Sequence, residues 1–298
     1  MLHSRLLRYL DEVARSGSIR KAGHNLNIAA PAINRQILAL EEELGTPIFE
    51  RHPRKMVLTA AGEILIDHVR QTLRAMDRTQ NAIEELKGLR RGEISLAMVS
   101  GLAATLTPLA VARFREAHPR VKINIALVDE PEILKRLSAG EADLGLAFDL
   151  KLGARVQLLA STPSRLGVVV SPRHPLAAKT SLRVSDCVGY ALCIPDRSMT
   201  MRAHIDSVFA EASIEPEPLI ETNAIEVMRH MAMTENCVTF LSQFDVQFER
   251  TNGQLVYIPL KGLKLPPEVL MLVGNARRMT PLGRAMAENF KEVMESLR

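Results

Sequence analysis

The chain of 298 residues has no tryptophan, and aromatic residues make up only 4% of it. Its core must therefore be built from Leu, Ile, Val, Ala and Met. Cysteine is nearly as scarce: Cys187, Cys193 and Cys237 are odd in number, widely spaced and set among apolar residues. Without a CxxC pair, neither a disulfide framework nor a zinc site organises the fold, and buried reduced thiols are expected. No apolar run approaches the roughly 20 residues of a membrane span. The amphipathic opening MLHSRLLRYLDEVARSG carries acids by Asp11 and does not read as a signal peptide. A soluble, cytoplasmic chain with no membrane partner is the expectation.

The signatures of catalysis are missing too. The eight histidines are scattered, with no HxxxH or HExxH spacing and no clustered carboxylates. No Gly-rich phosphate loop follows a strand, and no GxSxG elbow exists. Ser161 and Ser164 read as part of a plain loop, and Cys193 as a structural thiol inside an apolar strand. Neither an enzyme, a cofactor nor a metal is expected. A periplasmic-type binding protein, or an enzyme with a helical extension, is the alternative class.

The length calls for two or three domains, with 47% hydrophobic and 24% charged residues. A net charge of +4 permits an anionic partner without requiring one. Three textures follow one another. Residues 1–60 are helical in period, broken by Ser16-Gly17-Ser18, Gly45-Thr46-Pro47 and His52-Pro53. Residues 61–90 form one long helical stretch with apolar positions at Ile66, Val69, Leu73, Met76 and Ile83, a heptad-like seam that suggests a dimer. Residues 91–298 alternate short β-branched runs with helical patterns, which argues βαβ units and a mostly parallel sheet. The candidate strands are ISLAMVS, VKINIALV, ADLGLAF, RLGVVVS, ALCIPD, CVTFLS, LVYIPL and EVLMLVG. A last helix starts at Pro281 with Thr280 as its cap.

In the first region, Leu6, Leu7, Leu10 and Val13 form one stripe. Ser18 caps a second short helix that carries Arg20. Ala22 and Gly23 permit close approach of a third helix, whose buried side is Ile33, Ile37, Leu40 and Leu44. The segment TPIFERHPRKMVLT reads as two extended pieces with Arg51, Arg54 and Lys55 at the tip, a wing. Two short helices joined by a tight turn are a helix-turn-helix arrangement.

The pieces LLRYLDEVARSGSIRKAGHNL, PAINRQILALEEELGTPIFER and VLTAAG resemble the head of the LysR-type transcriptional regulators, and the resemblance extends over the whole chain. It implies an α/β protein overall: an N-terminal winged helix-turn-helix, a long linker helix, and a two-lobed α/β effector domain like a periplasmic binding protein. The first lobe would comprise about 93–165 and 266–298, the second about 166–265. It also implies an operator of double-stranded DNA, a small-molecule effector, a dimer through the linker helix that assembles to a tetramer, and RNA polymerase as a further partner. The DNA contacts would be Pro31, Asn34 and Arg35 from the third helix and Arg51, Arg54, Lys55 and Thr59 from the wing, with Ser18 and Arg20 at the second helix. Ala29-Ala30 stands where the family typically has Ser-Gln. The third helix thereby loses a side-chain cap, and Ala30 can offer a base only apolar contact.

In open α/β sheets, ligands bind at strand C-termini and helix N-termini. That rule selects Ser100, Gly101 and Leu102 after the first strand, Glu130 after the second and Phe148 after the third. It also selects Arg197, Ser198, Met199, Thr200 and Arg202 after ALCIPD, and Thr222 with Asn223. Arg197 and Arg202 suit a carboxylate, so a small organic anion is the expected effector.

Overall fold

Apolar residues at helical spacing build the first unit, and they define its core. Tyr9, Leu10 and Val13 face inward from α1 (Arg5–Ser16), Ala22 from α2 (Ile19–Leu26), and Ile33 and Ile37 from α3 (Ala30–Leu44). This computed structural model describes residues 5–52, 55–86, 91–234, 236–264, 266–276 and 279–297. The chain divides into two units, Met1–Leu89 and Arg90–Arg298.

Ser18 caps α2 by accepting from the Lys21 amide at 3.4 Å, and left-handed Asn27 (φ 54°) ends it. A β-carbon on Gly23 would lie 2.6 Å from the Ile28 carbonyl oxygen, so the tight α2–α3 turn needs glycine there. Buried Glu12 ties α1 to α2 by accepting from Asn25 Nδ2 at 2.7 Å. That bond, with Arg15 alongside, holds its carboxyl below the usual range. The α3 helix starts at Ala29 with no side-chain cap, and Gly45 (φ 66°) ends it. Leu44, expected inside, is 47% exposed because it falls in the last turn, beyond the contact with α1 and α2.

The wing is an antiparallel pair, β1 (Phe49–His52) and β2 (Lys55–Leu58), with His52 opposite Lys55. Glu41 reaches back from α3 to accept the Ile48 and Phe49 amides at 2.8 and 3.1 Å. The linker is α4 (Ala60–Leu86), 27 residues and about 40 Å long. Its seam is divided. Ile66 and Val69 are buried in the core of their own unit with Leu73 packed against it, and Arg70 Nε meets Asp11 at 2.7 Å. This half of the stripe is thus covered by its own head, while Ile83 is 42% exposed.

The second unit holds two five-stranded sheets. The elements β3 (Arg91–Met98), α5 (Leu106–Ala117), β4 (Arg120–Leu127), α6 (Glu130–Ala139), β5 (Leu144–Phe148) and β6 (Val156–Ser164) come first. Next are β7 (Leu166–Val170), β8 (Ala191–Pro195), α7 (Thr200–Glu211), β9 (Pro218–Thr222), α8 (Ile225–Ala232), β10 (Cys237–Ser242), α9 (Gln247–Thr251) and β11 (Val256–Pro259). The chain then returns through β12 (Glu268–Asn275) and α10 (Pro281–Ser296). One sheet has the order β4-β3-β5-β12-β6, the other β11-β7-β10-β8-β9.

The sheets are mixed, not mostly parallel. The β3, β4 and β5 strands run parallel, as do β8, β9 and β10, whereas β12 is antiparallel to β5 and β6, and β7 to β10 and β11. Ser161 and Ser164 lie on β6, not in a loop. Strand β6 sits at a sheet edge, where Pro163 is tolerated because one side needs no amide donor. Phe114 of α5 and Phe290 of α10 are fully buried in the core cluster over the first sheet. The three cysteines are free and buried, and burial pushes the Cys187 thiol up to about 12.

Candidate functional site

In the first unit, Pro31 and Arg35 are exposed one turn apart on α3, with Ala30 and Asn34 half-buried beside them. Arg20 on α2 and Lys55 on the wing are exposed as well. This surface carries basic side chains and an uncapped helix start, both suited to phosphate and base edges. Ser18 Oγ spends one lone pair on capping α2, which leaves its hydroxyl proton and a second lone pair for a partner. Thr59, expected on the wing, is engaged internally: its Oγ1 donates to the Pro47 carbonyl at 2.8 Å and accepts from the Gly62 amide at 2.9 Å, opening α4. Arg54 and the side chain of Arg51 lie outside the described residues.

In the second unit, a cleft of about 370 Å³ opens at the ends of both sheets. Ser100, Gly101, Glu130, Phe148, Ser198, Met199, Thr200 and Asn223 line it, as the strand-end rule selects. Ser100 and Gly101 come from a short 3-10 turn after β3, and Ser198 is fixed by Asp196, whose Oδ1 accepts its amide at 2.8 Å. Glu130, at the start of α6, accepts from Thr200 Oγ1 at 2.9 Å, which links the start of α6 to the start of α7.

Four expected positions fall elsewhere. Leu102 is fully buried in the core cluster beneath the 3-10 turn, because its side chain is apolar and the turn directs it inward. Thr222 turns its hydroxyl to the Ala224 amide at 3.1 Å. Arg197 is exposed outside the lining. Arg202 is buried behind it, with Nη1 donating to the Pro195 carbonyl at 2.9 Å and to Glu221 at 2.7 Å, and Nε to Asp206 at 2.7 Å. Its guanidinium is satisfied by these partners, so the expected carboxylate clamp does not form.

The sequence reading missed three carboxylates. Asp149, directly after β5, holds a left-handed backbone (φ 47°) and accepts the Val269 amide at 2.8 Å. Asp245, three residues past β10, is 1% exposed and accepts the Ser242 amide at 2.9 Å. Glu268 opens β12. Burial pushes Glu268 up to about 8, with Asp245, Asp149 and Glu130 adding to the rise, and burial likewise raises Asp245. With Asp129, five carboxylates line the cleft, and among its described lining residues there is no Lys, Arg or His. Met201, Ile225, Leu127, Val128 and Val99 supply apolar wall.

Comparison with known proteins adds an independent line. Residues 4–63 match the family described as bacterial regulatory helix-turn-helix protein, lysR family, and residues 87–295 match the LysR substrate binding domain. The transcriptional regulator CbbR of Xanthobacter flavus is 27% identical over 95% of this chain and 86% of its own. The transcriptional activator CmpR of Synechocystis is 23% identical over 90% and 88%. Among solved structures, full-length CbnR in complex with its target DNA superposes with a TM-score of 0.72 at 18% identity, covering 97% of this chain and 99% of that one. A full-length OxyR of Pseudomonas aeruginosa gives 0.70 at 19%, covering 98% and 96%.

Proposed function

Because the chain belongs to the LysR family of DNA-binding transcriptional regulators with an effector-binding domain, we infer that α3 reads the major groove of its operator through Pro31, Asn34 and Arg35. The wing grips the flanking backbone through Lys55, with Arg51 and Arg54. The observation that carries this reading is the exposure of Pro31 and Arg35, one turn apart on a helix-turn-helix whose buried face is already full.

A small molecule in the cleft between the two sheets shifts the balance between two arrangements of the assembly, and so changes how the heads sit on DNA. Met76 and Ile83, beyond the half of α4 covered by the head, are the positions through which two copies pair, giving a dimer and from it a tetramer. The operator is then two-fold, with half-sites about one helical turn or its multiples apart. The chain acts on DNA in the cytoplasm and catalyses no reaction. Footprinting upstream of the chain's own gene tests this reading: a protected two-fold site that needs about tenfold or more additional protein for Arg35→Ala supports it. Protection unchanged by the substitution, or none at all, contradicts it.

A further inference from the structure

Among the described residues lining the second unit's cleft, one buried side-chain atom has no hydrogen-bond partner. Glu268 is 6% exposed, and its Oε2 has no hydrogen-bond partner although the residue lines the cavity. A buried carboxylate left so is costly unless something pairs it. The other acids each have a donor: Asp129 the Glu132 amide, Glu130 the Thr200 hydroxyl, Asp149 the Val269 amide, Asp245 the Ser242 amide. No described basic side chain of the lining answers Glu268.

Two features weigh against each other here. The starts of α7 and α8 contribute Met199, Thr200 and Ile225 to the cleft, and neither helix has a side-chain cap. Helix N-termini favour an anion, but each amounts to only about half a unit charge. Five acidic side chains face them, with no Lys, Arg or His among the described lining, so the acids outweigh these partial charges. A metal ion is a poor candidate, since no group of three or more metal-ligating side chains assembles among the described residues. The rest of the wall is apolar: Phe148, Met201, Leu127 and Ile225.

We propose that the effector is a small organic cation, an ammonium or amidinium group on an apolar body, whose N–H donates to Glu268 while its hydrocarbon lies against Phe148 and Met201. This rests on the reading of the cleft as the effector site and replaces the anion expected from the sequence. Glu268, pushed up to about 8, holds its proton at neutral pH in the empty cleft. When the cation binds, that proton leaves to the buffer and the carboxylate pairs with the ammonium. Uptake is therefore coupled to proton release.

Matched skeletons make the test. Phenethylamine, phenethyl alcohol and 3-phenylpropionate, with pentylamine, pentanol and hexanoate, are titrated into the full chain by calorimetry in two buffers of different ionisation heat. The amines are expected to bind with buffer-dependent heat, and Glu268→Gln or Asp245→Asn to weaken them by about tenfold or more. Glu268→Gln itself is expected to melt no lower than wild type at pH 8, which separates lost binding from lost folding. Binding of the carboxylates in preference to the amines overturns the proposal, as does the absence of any amine binding at millimolar concentration. Retention on operator DNA is measured in the same preparation: if it persists while amines fail, only the ligand class is wrong, and if it is lost, the regulator reading falls as well.

Discussion

The Asp245 carboxylate occupies the space where a β-carbon on Gly101 would stand. Two loops from different sheets meet at that point, and the acid reaches the cleft only because residue 101 has no side chain. Gly101→Ala must push Asp245 aside and break its bond to the Ser242 amide. The expected cost is about 1–3 kcal/mol in urea unfolding, with loss of the ligand response. Unfolding and ligand titration on the same variant check this; an alanine accepted at no cost with ligand binding intact rejects the packing described.

Glu268 imposes a pH dependence whose sign is fixed. Its pKa lies near 4.5 in the unfolded chain and about 8 in the folded one. The stability it contributes is full below about pH 4.5, decays as pH rises, and is gone above about 8. Raised Asp245 acts in the same direction. Glu268→Gln is expected to gain stability over wild type as pH rises through that interval, by an amount on the order of a few kcal/mol. Unfolding midpoints for both chains across the range measure it; a constant difference would remove the buried acid from the account.

How legible all this was depended on the direction of each strand. The strand-end rule found Ser100, Glu130, Phe148 and Asn223 because β3, β4, β5 and β9 are parallel strands that end at the cleft. It could not find Glu268, because β12 runs antiparallel to β5 and brings its first residue, not its last, to the same edge. The assumption of a mostly parallel sheet hid the most informative side chain. Strand β6 was hidden for another reason: Ser161 and Ser164 read as loop residues, and only its edge position allows Pro163 between them. In the head, by contrast, Ser18 and Gly45 are local signals and match the observed helix ends. Side-chain placement was least legible, since nothing local distinguishes buried Arg202 from exposed Arg197.

That difference between the two arginines gives a prediction. Arg202→Ala strands Glu221, Asp206 and the Pro195 carbonyl and is expected to destabilise the fold by about 1–3 kcal/mol. Arg197→Ala, on the surface, is expected to change stability by no more than about 0.5 kcal/mol. Neither changes ligand affinity beyond the effect on folding. A large, specific loss of affinity in Arg197→Ala would restore the anion clamp.

The bare start of α3 gives another. Ala29→Ser supplies the missing cap and is expected to raise stability by about 1 kcal/mol. Ala30→Gln is expected to change base preference in a randomised-operator selection without changing stability much, since Gln can pair with adenine. An unchanged preference would show that residue 30 does not meet a base edge.

DNA held by the exposed basic face of the first unit must respond to salt, and fluorescence anisotropy of the full chain on its footprinted operator reads that response against KCl concentration. We expect log K to fall linearly with log salt, with a negative slope that becomes shallower by about one for Lys55→Ala, which removes a phosphate contact, and likewise for Arg35→Ala, which removes a positive charge from the groove. Binding that is indifferent to salt, or a slope that neither substitution alters, would contradict it.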